Sequence, residues 1–243
     1  MLIDVDILAS GHSVALLKDQ RGHMLFRFDD EAPVDFEPGQ GLRFLLVRLA
    51  DENTAVIVST RAAPGQTNAW VVTRAGQIER AFTVGDGVED LLAHPGGLVV
   101  TYFDEGVFSN TLPSAEGLAL FSLDGSFLAG YNSGLSNGVF ISDCYCACWR
   151  GSTEVCFSPY TDFPLVSLDI VNRTQQVWEL PAVLRGARAL VPQDDLWYFF
   201  VRGTVFRWSP GLVPEVSGTY SGRLRGLSDG LFMDEDTFKV VRF

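Results

Sequence analysis

Six short apolar runs recur along this chain at a spacing near forty residues, and that recurrence constrains the fold more than any other feature. They occupy residues 25–29 (Leu-Phe-Arg-Phe-Asp), 71–76, 120–125 (Leu-Phe-Ser-Leu-Asp-Gly), 165–169, 205–209 and 238–240. Their anchors Phe26, Val72, Phe121, Val166, Phe206 and Phe238 stand 46, 49, 45, 40 and 32 positions apart. Strand-built repeats of about 40 to 50 residues mark propeller blades, because a lone sheet of that size leaves a face uncovered until its neighbours stack on it.

A second register supports the first. Asp6-Ile7-Leu8-Ala9 is followed eight positions after its acid by Val14-Ala15-Leu16-Leu17, and Asp90-Leu91-Leu92-Ala93 is followed at the same interval by Leu98-Val99-Val100. Small or turn-forming residues lie between the runs in both cases. The clearest hairpin spans residues 97–125, where two strand-length runs are closed by Asp124-Gly125. The expected fold is therefore all-β: a six-bladed β-propeller in one domain, 1–243, with blades at 3–36, 42–84, 88–131, 143–180, 187–220 and 223–243. The last blade is short, so it is either three-stranded or closed by residues 2–5; the first is favoured. A β-sandwich or a pair of β-domains is the alternative. No helix is expected, since Arg185-Gly186 interrupts the nearest candidate.

Charge narrows the partners. Thirty acids against 18 bases leave a net charge of −12, with no Lys/Arg cluster. Such a surface repels polyanions on average, so neither nucleic acid nor membrane is expected as a partner, and a small molecule or a protein remains. Two acids in the first six residues disagree with a signal peptide, and no run approaches the roughly 20 apolar residues needed to cross a bilayer. A soluble, cytoplasmic protein is expected.

Two blocks stand out in the middle of the chain: Tyr102-Phe103-Asp104-Glu105-Gly106-Val107-Phe108, and Asp143-Cys144-Tyr145 followed by Tyr160-Thr161-Asp162-Phe163-Pro164-Leu165-Val166. Together they resemble an uncharacterised bacterial β-propeller-like family that carries both in this order. The family's pattern continues after Asp-Cys-Tyr with an Ala-Leu-Asn-Val-like run, where this chain has Cys146-Ala147-Cys148-Trp149. The resemblance implies a fold and no activity.

Candidate chemistry is sparse. Asp104 and Glu105 end the second strand of the third blade; in an extended chain they face opposite ways, so one carboxylate faces a ligand and the other solvent unless Gly106 bulges. Asp-Glu-Gly reads as a turn with solvated acids; the functional alternative is that Asp104 or Glu105, with Asp143 and with Asp90 as a further candidate, forms an acidic cluster that takes a divalent cation such as calcium through oxygen ligands, and no other cofactor is expected. Tyr145 and Tyr160, beside Asp143 and Asp162, suit a polar ligand, because an aromatic ring next to a carboxylate offers both an apolar and a charged contact. The expected ligand site is Asp104, Glu105, Asp143, Tyr145, Tyr160 and Asp162.

Cys144, Cys146 and Cys148 alternate and are expected to share one strand face, with Cys156 joining from the next strand. Neighbours on that face lie roughly 6.5 to 7 Å apart, wide for tetrahedral zinc, so core packing is the favoured role. His12, His23 and His94 have no nucleophile elbow to serve. Gly39-Gln40-Gly41 and Gly85-Asp86-Gly87 lack the strand-to-helix setting of a phosphate cradle and read as turns. The expected function is a propeller binding scaffold, the alternatives being a metal-dependent lactonase-like hydrolase and a protein-interaction disc without a small-molecule site.

Overall fold

The computed structural model describes residues 1–39 and 41–243. Gln40 of the expected Gly39-Gln40-Gly41 turn lies outside them. The chain divides into two compact units, residues 1–134 and 135–243.

The first unit holds three four-stranded antiparallel sheets. Sheet one is β1 (Leu2–Ile7), β2 (Ser13–Lys18), β3 (Met24–Phe28) and β4 (Val34–Phe36). Sheet two is β5 (Leu45–Leu49), β6 (Thr54–Ser59), β7 (Ala69–Thr73) and β8 (Ile78–Phe82). Sheet three is β9 (Val88–His94), β10 (Gly97–Tyr102), β11 (Leu118–Phe121) and β12 (Phe127–Gly130). All are meanders joined by tight turns, as runs of β-branched and aromatic residues punctuated by Gly and Asp dictate. The middle strands of sheet two are apolar on both faces because that sheet is covered on both sides. Phe26, Phe36, Val47, Ile57 and Trp70 fill the layer between sheets one and two; Val56, Val71, Leu91, Val100 and Phe121 fill the layer between sheets two and three.

The second unit repeats the pattern. β13 (Asp143–Arg150), β14 (Glu154–Tyr160), β15 (Leu165–Asp169) and β16 (Thr174–Trp178) form sheet four. Sheet five is β17 (Ala189–Gln193), β18 (Leu196–Val201), β19 (Thr204–Trp208) and β20 (Glu215–Thr219). Sheet six has three strands, β21 (Leu224–Gly226), β22 (Leu231–Asp234) and β23 (Val240–Arg242). Cys148, Cys156, Leu190, Phe199 and Trp208 pack between sheets four and five, and Val191, Phe200, Val205 and Phe232 between five and six.

Three expectations need correction. Phe238 is not a strand anchor: it turns at φ 55° between β22 and β23, and the third strand begins at Val240. Asp104 and Glu105 do not extend β10; they open a single helical turn, α1 (Asp104–Val107), so the strand-alternation argument does not apply to them. Cys144 does not share a face with Cys148 and Cys156. Its strand partner is Pro159 while that of Cys148 is Cys156, and a bulge between Cys144 and Ala147 shifts the register by one residue. One extra residue in a strand exchanges the faces beyond it.

Candidate functional site

The same bulge builds the most site-like feature of the molecule. Asp143 pairs with Tyr160 and Cys144 with Pro159, after which Tyr145 and Cys146 together stand opposite Ser158 before Ala147 meets Phe157. Doubling residues on one strand kinks it and re-aims a side chain. The Tyr145 ring stacks on Tyr160 with centroids 6.1 Å apart and planes 14° from parallel. Phe163 closes the group edge-on, 5.1 Å from Tyr145 and 5.4 Å from Tyr160.

Phe163 holds φ 53°, a left-handed conformation that costs a bulky residue of order 1–3 kcal/mol and persists where the surroundings enforce it. Tyr160 stays 43% exposed, and Ser142, just ahead of β13, is tied to it by its hydroxyl, which donates to the Tyr160 carbonyl at 3.1 Å. Over the far ring lies Arg188, its guanidinium carbon 4.1 Å from the Tyr145 centroid. Arg188 is exposed, and its backbone N–H donates to the Phe200 carbonyl at 2.9 Å, which fixes it just ahead of β17. The fully buried Ser158 hydroxyl, on the Tyr160 side of β14, meets no hydrogen-bonding group among the described residues.

Asp143 is half-buried and Asp162 exposed beside these rings, so four of the expected site residues, Asp143, Tyr145, Tyr160 and Asp162, lie along one sheet end of the second unit. Arg188 carries no sequence signal, since an arginine after a Gly-Ala pair in a loop looks like any solvated charge. Phe163 was legible as an aromatic but not as a turn residue.

Asp104 and Glu105 lie in the first unit, in a different chemical setting. Arg61 Nη1 donates to Glu105 Oε2 at 2.8 Å, while its Nε and Nη2 grip Asp86 at 3.0 and 3.2 Å. The Asp86 carboxylate also accepts the Ala62 N–H at 2.8 Å. Burial works to raise the Asp86 pKa, yet that N–H and the guanidinium outweigh it and hold the group below the usual carboxylate range. The Asp104 carboxylate accepts its neighbour's N–H at 2.7 Å, a local contact. Beneath the helical turn, a Cβ on Gly87 would meet Gly106 Cα at 2.5 Å, so two backbones touch where only glycine fits. Asp90 is spoken for by Arg48, with Nη2 donating to Oδ1 at 2.7 Å.

Among the described residues, no three His, Cys, Asp or Glu side chains converge as metal ligands. The four cysteines are buried thiols, and burial, only partly offset by the Ser167 hydroxyl, pushes Cys156 up to about 12. A thiol so placed behaves as a small hydrophobe. Among the described residues, no helix is long and apolar enough to cross a membrane.

No family model matches the chain, and no curated protein matches its sequence. Its fold is similar to a streptogramin B lyase at a TM-score of 0.61, with 7% identity over 99% of this chain and 81% of that one. It is also similar to Kluyveromyces lactis Hsv2, at a TM-score of 0.62 and 8% identity over 95% of this chain and 70% of that one. A third likeness is to YCF48 bound to D1 peptide, at 0.55 and 10% identity over 94% and 73%. At such identities the likeness speaks for fold alone. The chain is a six-bladed β-propeller whose last blade has three strands.

Proposed function

We propose that this propeller is a binding scaffold whose ligand contact is the platform of Tyr145, Tyr160 and Phe163, with Asp143 and Asp162 at its rim. The observation that carries the reading is Tyr160, a large ring left 43% exposed yet held in a fixed stack by a bulge on one side and a left-handed Phe163 on the other. Rigid, half-exposed aromatics beside carboxylates are economical contacts, since their two torsions are frozen before a ligand arrives. Glu105 enters as a clamp on the α1 turn, because Arg61 already engages it, and the Asp104 carboxylate is occupied by the Glu105 N–H. Neither the cation reading nor the lactonase reading gains a ligand set from either unit.

The two shared sequence blocks belong to the same proposal: kinship with the uncharacterised propeller-like family rests on them, and the second block contains the platform. A structural neighbour solved with a bound peptide and another that is a lyase illustrate how widely one scaffold serves, so the assignment depends on residues rather than on fold.

The test is a panel of polar aromatic fragments and short peptides screened by NMR. Perturbed resonances of Tyr145, Tyr160 and Phe163, lost in Tyr160→Ala, are the expected result. Binding confined to other surfaces, or insensitive to Tyr160→Ala, would contradict it.

A further inference from the structure

Among the described residues, four arginines stack on aromatic rings, and comparing them isolates one. Arg61 lies over Phe103 and pairs with Asp86 and Glu105; Arg74 lies over Phe28 and pairs with Asp29 and Glu31; Arg150 lies over Trp197 and pairs with Glu154 at 3.8 Å. Arg188 makes the closest stack, at 4.1 Å, and no carboxylate among the described residues pairs with it. Its loop neighbour Arg185 is already bound to Glu179 at 3.0 Å. In a chain carrying twelve more acids than bases, an unpaired stacked arginine is the exception.

We infer that the platform's ligand is a carboxylate, whose two oxygens take the N–H edge of Arg188 while its apolar body lies on Tyr160 and Phe163. This rests on the platform reading above and names the class of ligand it takes. A guanidinium held 4.1 Å over a ring still offers a planar fork of donors that matches a carboxylate bidentately, and the ring contact has already ordered the side chain. The exposed Asp162 at the rim disfavours a dianion more than a monoanion, which selects a singly charged carboxylate over a phosphate. The same group is offered by a small free acid and by the C-terminus of a peptide.

Titrations read by NMR separate the possibilities, using phenylacetate against 2-phenylacetamide, and the peptide acetyl-Gly-Gly-Phe with a free against an amidated C-terminus. The wild-type protein is expected to bind at least one free acid ten-fold or more tighter than its amide. Arg188→Gln is expected to bring the acid down to the level of the amide without weakening the amide, and Arg188→Lys, which keeps the charge and loses the fork, to fall between. Tyr160→Ala should weaken acid and amide alike. Preference for phenylacetate alone assigns a small acid, and preference for the peptide alone a chain terminus.

Equal binding of acid and amide by the wild type, an acid preference that survives Arg188→Gln, or no measurable binding of either acid overturns the inference. If acid and amide bind equally and both still need Tyr160, the platform stands and only the carboxylate is lost. Indifference to Tyr160→Ala removes the platform itself. Melting curves for each variant establish that it is folded.

Discussion

Arg48 and Arg188 are the same residue type used in opposite ways. Arg48, on β5 of the first unit, is 3% exposed, and each of its guanidinium nitrogens donates a hydrogen bond. Nε donates to the Leu91 carbonyl at 3.0 Å, Nη1 to Asp4 at 2.7 Å and to the Val47 carbonyl at 2.8 Å, and Nη2 to Asp90 at 2.7 Å. Asp4 lies on β1 and Asp90 on β9, so one side chain joins the first strands of three successive sheets. Burial alone would lower the Arg48 pKa, but Asp4, Asp90 and Asp6 outweigh it and raise it. Arg188 of the second unit is exposed, lies 4.1 Å over the Tyr145 ring, and has no carboxylate partner among the described residues. A satisfied, buried arginine serves architecture; a stacked, exposed one is left for something else to satisfy.

The largest expected effect breaks the first half of that contrast. Arg48→Leu leaves two largely buried carboxylates without their counter-charge, a class of change that costs about 3–5 kcal/mol, and equilibrium urea unfolding should show it. A loss under about 1 kcal/mol would mean that water replaces the guanidinium. Next in size is Tyr102→Phe, which removes the buried hydroxyl donating to the Val84 carbonyl at 2.6 Å. It should cost about 1–2 kcal/mol in the same assay, since the carbonyl loses its partner with no water to replace it.

Acid sharpens the contrast further. Asp29 is held below the usual carboxylate range first by the Ser13 N–H and then by Arg74 and His12; Asp234 is lowered by the Tyr220 and Thr237 hydroxyls; Asp124 is drawn to about 2 by the Ser122 and Ser126 hydroxyls. A depressed carboxylate contributes stability that is full above its unfolded pKa, about 3.9 for Asp, and is lost as pH falls toward the folded value. The urea midpoint should therefore hold between pH 5 and pH 7 and fall steadily below about pH 4. A flat midpoint down to pH 2 would show these contacts to be silent.

The smallest effect is on the platform. Tyr160→Ala removes a half-exposed ring and should shift stability by about 0.5 kcal/mol while abolishing ligand contact. A large destabilisation would assign Tyr160 to the core. The thiols offer a check on packing: at pH 8 the native protein should leave Cys156 unlabelled by iodoacetamide, and urea should expose it.

Much of this was readable before any coordinates. The six sheets follow from apolar runs punctuated by turn residues, and the blade limits agree with the strands to within a few positions because burial on both faces imposes continuous apolar stretches. What escaped depended on single-residue geometry. Nothing in Asp-Cys-Tyr-Cys announces a bulge, so Cys144 was given the wrong face. The Asp-Glu-Gly after β10 reads equally as a strand end or a helical turn, and only contact of Gly106 with Gly87 decides between them. Arg48 did leave a signal, a charge inside Leu-Leu-Val-Arg-Leu, where a fully covered strand admits an arginine only with partners. Its partners are about 43 residues away in either direction, one repeat length, which local pattern cannot supply.

The most direct measurement is a side-by-side urea unfolding of Arg48→Leu and Arg188→Gln. Stability should fall by about 3 kcal/mol or more for the first and stay within about 0.5 kcal/mol of the parent for the second. Equal losses in the two variants would contradict the division between an arginine that ties the three sheets of the first unit together and one that is left to meet a ligand.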